Sequence, residues 1–189
     1  MKILVVQNRM GIGDTVIFLP FIKAISQRFE TPINLLVKEN SKADQYLNQT
    51  NYLDKIIFLK RGNNKNDQHN GIIGSFRLAQ DLKKYKFNKI FIFNSSLRFK
   101  LIAKLAKIKE IYQYPLFKKN NQHIIQSAKD LIKNSLGLDV TSSPQIQVDN
   151  DLIKKAIFKF HINNNELNIL FGIGGSGPTK RIPSKTFLS

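Results

Sequence analysis

The sequence predicts an α/β domain built on a doubly wound parallel sheet. Short apolar runs of strand length alternate along the chain with longer segments in which apolar residues recur at helical spacing. Hydrophobic residues make up 42% of the 189 residues, which is enough for a sizeable core. The first apolar run, Ile3–Val6, is followed by a turn with two glycines, Gly11 and Gly13. A strand, a tight turn and a helix N-terminus in this order place a ligand site at the carboxyl end of the strand.

The individual elements follow from the same patterns. The predicted strands are short and mostly apolar, and they cover residues 2–7, 33–37, 55–59, 89–93 and 110–113. Apolar side chains at helical spacing predict the connecting helices over residues 14–29, 41–48, 74–85, 96–107 and 122–136. Pro20 should kink the first helix or lie in its first turns, and Gly137 should end the last one.

The last quarter of the chain predicts the beginning of a second domain. A segment with Pro144 and few large apolar side chains reads as a linker, and a helix, a strand, a glycine-rich turn and another helix follow it; these segments are 141–149, 151–160, 168–171, 172–178 and 184–189. We therefore expect one domain over 1–140, a linker with a helix over 141–166, and the start of another domain over 167–189. One strand and half a helix cannot bury a core, so either the sequence is a fragment or its tail packs on the first domain.

Composition argues against several classes of protein. The chain has no cysteine, which excludes disulfides and thiolate metal sites. Its three histidines are far apart and no acidic pair has ligand spacing, so we expect no metal and no cofactor. No segment approaches the roughly 18 uncharged apolar residues of a membrane span, and the first apolar run is too short for a signal peptide. These features predict a cytosolic protein.

The net charge of +17 has two explanations that the sequence leaves open. Thirty Lys and Arg against 13 Asp and Glu would suit a polyanionic partner such as nucleic acid, an anionic lipid surface or a phosphorylated sugar. The abundance of Lys, Asn and Ile throughout the chain would also follow from an AT-rich genome. Nucleic acid is the weaker of the partners, because the aromatic residues fall mostly at apolar strand and helix positions and not among basic residues.

Four segments, taken together and in this order, resemble glycosyltransferase family 9, the family of the ADP-heptose:lipopolysaccharide heptosyltransferases. They are RMGIGD at 9–14, NSSLR at 94–98, the helix with its closing glycine at 123–137, and GGSGPTKRIP at 174–183. The resemblance covers essentially the whole chain but only the N-terminal half of a family member. The chain departs from the family at Ile182, where an aromatic residue usually precedes the proline.

The resemblance implies an α/β fold of the GT-B type. One complete Rossmann-like domain would bind the acceptor, and the first strand, turn and helix of a truncated second domain would belong to the donor side. The implied partners are an ADP-sugar donor and the anionic lipopolysaccharide inner core, and the implied place of work is the cytoplasmic surface of the inner membrane. The parent protein would be an inverting transferase of heptose or a related sugar, whereas the 189-residue chain alone is expected to be inactive.

Asp14 is the candidate catalytic residue. Glycosyl transfer needs a base that takes the proton from the attacking acceptor hydroxyl, and the resemblance puts the family's proposed base at this aspartate. Gly11 and Gly13 would let the backbone approach the acceptor. The alternative is that Asp14 only caps the helix that follows. A dinucleotide-binding turn is disfavoured, because Val16 stands at the third glycine position and the carboxylate would meet the pyrophosphate.

Further contacts are expected on both substrates. Arg98 follows the fourth strand, should face the same crevice as Asp14, and would bind carboxylate or phosphate groups of the acceptor. Ser96 and His123 are further candidate contacts to the acceptor; each of the three could instead lie on a solvated surface or cap a helix. On the donor side the resemblance places Ser176, Thr179 and Lys180 by the diphosphate, with a basic linker as the alternative.

A non-catalytic binding or remnant domain of the same fold is the second functional hypothesis. It would keep the acceptor-side fold without catalysing transfer. A polyanion or nucleic-acid binder comes third, and it predicts salt-dependent retention on any anionic polymer.

Overall fold

A computed structural model describes residues 1–9, 11–62, 67–116, 122–163, 165–170 and 183–187. The chain divides into two compact units, Met1–Val148 and Asp149–Ser189. The boundary between the units falls inside the segment that the sequence predicts as a linker.

The first unit is built on a five-stranded parallel sheet in the order β3-β2-β1-β4-β5. The strands are β1 (Ile3–Val6), β2 (Ile33–Lys38), β3 (Leu53–Leu59), β4 (Lys89–Ile92) and β5 (Glu110–Gln113). All four strand pairs are parallel, and Val6 is in register with both Leu36 and Ile92. The five strands predicted from apolar runs are confirmed, with β3 beginning two residues earlier than expected.

Helices connect the strands and cover both faces of the sheet. They are α1 (Ile12–Phe29), α2 (Ala43–Tyr46), α3 (Gly71–Tyr85), α4 (Leu97–Leu105) and α5 (Ile124–Leu136). The first helix is continuous through Pro20, and Gly137 ends α5 in the left-handed conformation at φ 71°. The first and third helices begin two and three residues earlier than their apolar periodicity suggests, because glycine-containing turns supply the first helical residues.

Each face of the sheet has its own core. On one face, Phe18 and Ile22 of α1 and Ile132 of α5 pack against Phe91 and Phe93 from the fourth strand and the residue after it. On the other face, side chains of α3 and α4 cover the sheet; they include Leu78, Leu82, Phe99 and Ile102. Because the central strand β1 is completely buried, its near-continuous apolar sequence is the pattern expected of a parallel strand covered on both sides.

The second unit contains α6 (Asn150–Lys159) and α7 (Ser184–Phe187). The first of these helices was predicted, and the Asp149 carboxylate caps it by accepting a hydrogen bond from the Asp151 amide at 2.7 Å. The predicted strand is wrong over 168–170, where the chain has no regular structure, while Phe171 lies outside the described residues. In this unit the described residues include no strand, and a strand without a neighbour leaves its backbone groups unpaired.

No helix in the described part of the chain is long and apolar enough to cross a bilayer.

Candidate active site at the carboxyl edge of the sheet

The strand order reverses direction between β1 and β4, and that point defines the site. The segments that follow β1 and β4 lead to opposite faces of the sheet, and a crevice opens between them beyond the carboxyl ends of the two strands. The two exits are held together, since the Phe93 amide donates to the Val6 carbonyl at 3.1 Å and the Asn94 Nδ2 donates to the Asn8 Oδ1 at 3.1 Å. The crevice therefore has one wall from the turn after β1 and one from the turn after β4.

The turn after β1 presents Asp14 in the first turn of α1. Its side chain is 32% exposed, and the nearest opposite charge is the Arg9 guanidinium, with Nη1 4.0 Å from Oδ1. Gly11, not Asp14, occupies the N-cap position, and no side chain makes a capping hydrogen bond there. Among the described residues, the Asp14 carboxylate accepts no hydrogen bond. The capping alternative therefore has no support in the structure.

The backbone of this turn depends on glycine at one position. Gly11 has φ 104° and ψ 164°, a conformation that residues with a Cβ rarely adopt. Gly13 is helical, and a Cβ built at either glycine would meet no other atom within 4 Å. The backbone at both positions is thus open on the side where a side chain would be.

The Gln7 side chain holds the same turn in place through two hydrogen bonds to its backbone. It is buried at the end of β1, where its Nε2 donates to the Asp14 carbonyl at 2.8 Å and its Oε1 accepts from the Arg9 amide at 3.0 Å. One side chain thus holds both flanks of the turn, including the backbone of the candidate base. Gln7 is not among the predicted site residues; the signal that could have revealed it is an amide side chain directly after an apolar strand.

The turn after β4 is held by a second glutamine. Gln113, at the end of β5, donates from Nε2 to the carbonyls of Asn94 and Ser96 at 3.0 and 2.9 Å. The Asn94 Oδ1 accepts from the Ser96 amide at 2.9 Å, and Ser96 occupies the N-cap position of α4 without a side-chain capping bond. The predicted acceptor residue Ser96 therefore lies in the wall opposite Asp14.

Arg98 points toward α3. Its Nη2 donates to the backbone carbonyl of His69, and its Nε is buried without a hydrogen-bond partner among the described residues. Burial lowers the pKa of the Arg98 guanidinium, and the nearby Arg61 lowers it further. Arg61 follows β3 and adds a second positive charge to this edge of the sheet. Arg61 is not among the predicted site residues, although it lies just beyond the carboxyl end of a predicted strand.

His69 is buried beneath the Arg98 side chain and helps to hold the segment between β3 and α3 in place. Its Nδ1 accepts from the Lys60 amide at 3.1 Å, and its Nε2 lies 3.6 Å from an Asp81 oxygen. Burial lowers the pKa of His69, while the nearby Asp81 carboxylate opposes that shift. Gly74 packs so closely on His69 that a Cβ there would lie 2.2 Å from the His69 carbonyl carbon.

The other predicted site residues fall into two groups. His123 is exposed at the N-terminus of α5, where its Nδ1 accepts from the Ile125 amide at 3.4 Å and so caps the helix. Ser176, Thr179 and Lys180 lie outside the described residues. No group of three or more His, Asp or Glu side chains that could hold a metal ion occurs in the described part of the chain.

The fold and the crevice define a Rossmann-like domain with a carboxylate at its switch point. Comparison with solved structures shows that this domain shares its fold with glycosyltransferases. The chain superposes on the glycosyl transferase family 9 structure from Veillonella parvula with a TM-score of 0.72 and 16% identity, covering 98% of this chain and 57% of the other.

Two further solved structures are similar. E. coli ADP-heptose LPS heptosyltransferase II matches with a TM-score of 0.56 and 16% identity, over 87% of this chain and 52% of the other. E. coli heptosyltransferase WaaC, solved with ADP, matches with a TM-score of 0.52 and 14% identity, over 84% and 53%. The chain thus spans little more than half the length of these structures. No protein-family model and no curated protein matches the sequence.

These similarities confirm the predicted fold class, which is α/β of the GT-B type.

Proposed function

We propose that this chain belongs to an inverting glycosyltransferase that moves heptose, or a related sugar, from an ADP-sugar to the lipopolysaccharide inner core. The observation that carries the proposal is the Asp14 carboxylate. It lies at the switch point of the sheet, is partly exposed, and accepts no hydrogen bond from the described residues. The shared fold with a family 9 glycosyltransferase supports the class of reaction.

The reaction needs one proton transfer and one substitution. An acceptor hydroxyl in the crevice would give its proton to an Asp14 oxygen as its own oxygen bonds to the anomeric carbon of the donor. The bond from that carbon to the diphosphate breaks at the opposite side, and ADP leaves with the electron pair. The Arg9 guanidinium, with Nη1 4.0 Å from the Asp14 Oδ1, lies beside the carboxylate that would take this proton.

The remaining residues take the roles that the resemblance implies. Gly11 and Gly13 would let the acceptor approach the backbone beside Asp14, and Ser96 would face it from the opposite wall. Arg98 would act on anionic groups of the acceptor through the positive potential that it shares with Arg61, and His123 would contribute from the start of α5. On the donor side, Ser176, Thr179 and Lys180 would hold the diphosphate, where Lys180 neutralises the leaving group. E. coli WaaC was solved with ADP, which supports a nucleotide-sugar donor.

A surface of α3 and α4 supports contact with an anionic membrane. The two helices pack against each other and carry six large apolar side chains that are 47–79% exposed: Ile72, Ile73, Phe76, Leu97, Leu101 and Leu105. The three leucines recur every four residues and form one stripe on α4, beside Lys100 and Lys104. The α4 sequence contains no acidic residue. We call these six residues and two lysines the α3–α4 surface; apolar side chains edged by lysine suit the surface of an anionic bilayer.

The test is a transfer assay with the full-length protein, ADP-heptose and a lipopolysaccharide-core acceptor. Asp14→Asn should lower kcat by about a hundredfold to ten-thousandfold, the range expected for a positioned general base. Asp44→Asn is the matched control, because Asp44, like Asp14, is an acid in the first turn of a helix, but it is exposed and lies in α2. Full activity of Asp14→Asn would remove Asp14 from the mechanism.

The second candidate is a non-catalytic binding domain of the same fold. The transfer assay separates the two functions. Turnover by the full-length protein supports the enzyme, whereas acceptor binding without any turnover of ADP-sugars supports the binding domain.

A further inference from the structure

Gln7 lies where the central strand meets the turn that carries Asp14. It directly follows β1 and is still bound to the sheet, since its amide donates to the Leu36 carbonyl of β2 at 3.0 Å. Only 1% of its surface is exposed. Close packing and the backbone hydrogen bond leave this side chain little freedom, so the groups that it binds are held at a fixed distance from the sheet.

The Gln7 side chain binds the backbone of both residues that form the ion pair in the crevice. Its Nε2 donates to the Asp14 carbonyl at 2.8 Å, and its Oε1 accepts from the Arg9 amide at 3.0 Å. The side chains of the same two residues face each other, with the Arg9 Nη1 4.0 Å from the Asp14 Oδ1. One buried amide thus fixes the backbone of the candidate base and the backbone of the cation beside it.

This pair of hydrogen bonds requires a side chain that donates and accepts at once. A carbonyl needs a donor and a backbone N–H needs an acceptor, and a primary amide offers both. An ionised carboxylate of the same length would still accept from the Arg9 amide, but it would repel the Asp14 carbonyl. A protonated carboxyl group could make both bonds, and a methionine side chain could make neither. Substitutions at Gln7 can therefore be ranked by the bonds that they keep.

A second hydrogen bond in the turn has a different consequence. The Thr15 hydroxyl donates to the Gly11 carbonyl at 3.2 Å, which joins one part of the turn to another. The Gln7 bonds instead join the turn to the central strand. Without them the turn could move as a unit relative to the sheet, and the Asp14 carboxylate would move with it even if α1 stayed intact.

We propose that Gln7 is a positioning residue for the Asp14 carboxylate. The inference rests on the proposed function, in which Asp14 takes the proton of the acceptor hydroxyl. A general base must lie within hydrogen-bond reach of that hydroxyl, and a displacement of about 1 Å can cost about a hundredfold in rate. Gln7 is buried and acts on the reaction through the turn that it holds.

The experiment is a double-mutant cycle in the transfer assay with the full-length protein. Gln7→Met should lower kcat about tenfold to a hundredfold and leave the KM for the ADP-sugar within about twofold, because the proposed diphosphate contacts lie elsewhere in the chain. In an Asp14→Asn background the same change should lower kcat by less than about twofold, because the base that Gln7 positions is already lost. Losses that multiply would show that Gln7 acts independently of Asp14 and would overturn the proposal.

A second variant restores the two hydrogen bonds through pH. Gln7→Glu should be as slow as Gln7→Met at about pH 9, where the new carboxyl group is ionised. The ratio of its kcat to that of wild type should rise at least about fivefold toward about pH 6, because burial raises the pKa of a carboxyl group and favours the protonated form. The ratio cancels the pH dependence that Asp14 brings to both proteins. A ratio that stays constant with pH would overturn the requirement for a donor to the Asp14 carbonyl.

Asn34→Leu is the matched control. Asn34 is also a buried amide in the sheet, but it lies near the amino end of β2, where its Nδ2 donates to the Asp54 Oδ2 at 3.1 Å. This variant should keep the wild-type kcat, and a loss equal to that of Gln7→Met would assign both losses to damage in the sheet and overturn the proposal. Wild-type kcat in Gln7→Met beside an inactive Asp14→Asn would overturn this inference alone, whereas full activity of Asp14→Asn would overturn the proposed function.

Discussion

The two turns that form the crevice differ in how they use their polar side chains. In the turn after β4, Asn94 makes hydrogen bonds to Asn8 and to the Ser96 amide. The Gln113 side chain reaches this turn from the end of β5 and donates to the Asn94 carbonyl. In the turn after β1, Gln7 satisfies the backbone, and the Asp14 carboxylate is left with only a distant ion pair to Arg9. The turn after β4, here called the second turn, is therefore a fixed wall. The turn after β1, the first turn, leaves a carboxylate without a hydrogen bond among the described residues, and this is the group that the proposed function uses as a base.

The largest effect on the fold should come from removing the side chain that holds the second turn. Gln113→Ala leaves the carbonyls of Asn94 and Ser96 without their donor, and we expect a loss of about 2 kcal/mol in the free energy of unfolding. Urea denaturation measures it. Gln126→Ala is the control, since Gln126 makes one exposed hydrogen bond to Asp130 and should cost less than about 0.5 kcal/mol. Equal losses in the two variants would show that the second turn is not held by Gln113.

The first turn can be tested with its two glycines. Gly11→Ala should cost about 2 kcal/mol of unfolding free energy, because its φ of 104° is strained for any residue with a Cβ. Gly13→Ala should instead stabilise the chain by about 0.5–1 kcal/mol, because alanine is favoured over glycine inside a helix. Thermal unfolding of both variants compares them directly. Equal effects would contradict the backbone described for this turn.

The sequence could predict the first turn far better than the second. Strand order along the chain, the apolar run of β1 and the glycine pair are local signals, and they sufficed to locate Asp14 at the sheet edge. Gln113 and Asn94 are 19 residues apart, and Arg98 and His69 are 29 apart. Such contacts arise from packing between elements. No local sequence pattern could therefore predict that Arg98 would donate a hydrogen bond to the His69 carbonyl. The failed strand over 168–170 has the same origin, because an apolar run becomes a strand only beside a partner.

The free energy of unfolding should depend on pH through His69, the buried residue before α3 whose carbonyl accepts a hydrogen bond from Arg98. Burial lowers the pKa of His69 in the folded chain, so the unfolded chain binds more protons as pH falls below about 6.5. Stability should therefore be fully present above that pH and decline as pH drops toward the lowered folded-state value. His69→Asn, whose amide oxygen can still accept from the Lys60 amide, should flatten this decline. Urea denaturation at pH 7, 6 and 5 measures both slopes, and identical slopes would contradict the assignment.

The smallest effects should lie on the α3–α4 surface, away from both turns. Lys104→Gln should weaken sedimentation with phosphatidylglycerol-containing vesicles about fivefold, the contribution of one lysine near an anionic surface. Leu101→Asn should weaken it as well by removing an apolar contact. Lys23→Gln, on an exposed position of α1, is the matched control and should bind like wild type. If all three variants sediment equally with the vesicles, this surface does not face the membrane.

The most direct test of the account is to measure transfer and stability on the same Asp14→Asn sample. A catalytic carboxylate that caps nothing predicts a loss of at least a hundredfold in kcat, with less than about 1 kcal/mol lost from the free energy of unfolding. A normal kcat together with a clear loss of stability would contradict the account and would make Asp14 a helix-stabilising residue.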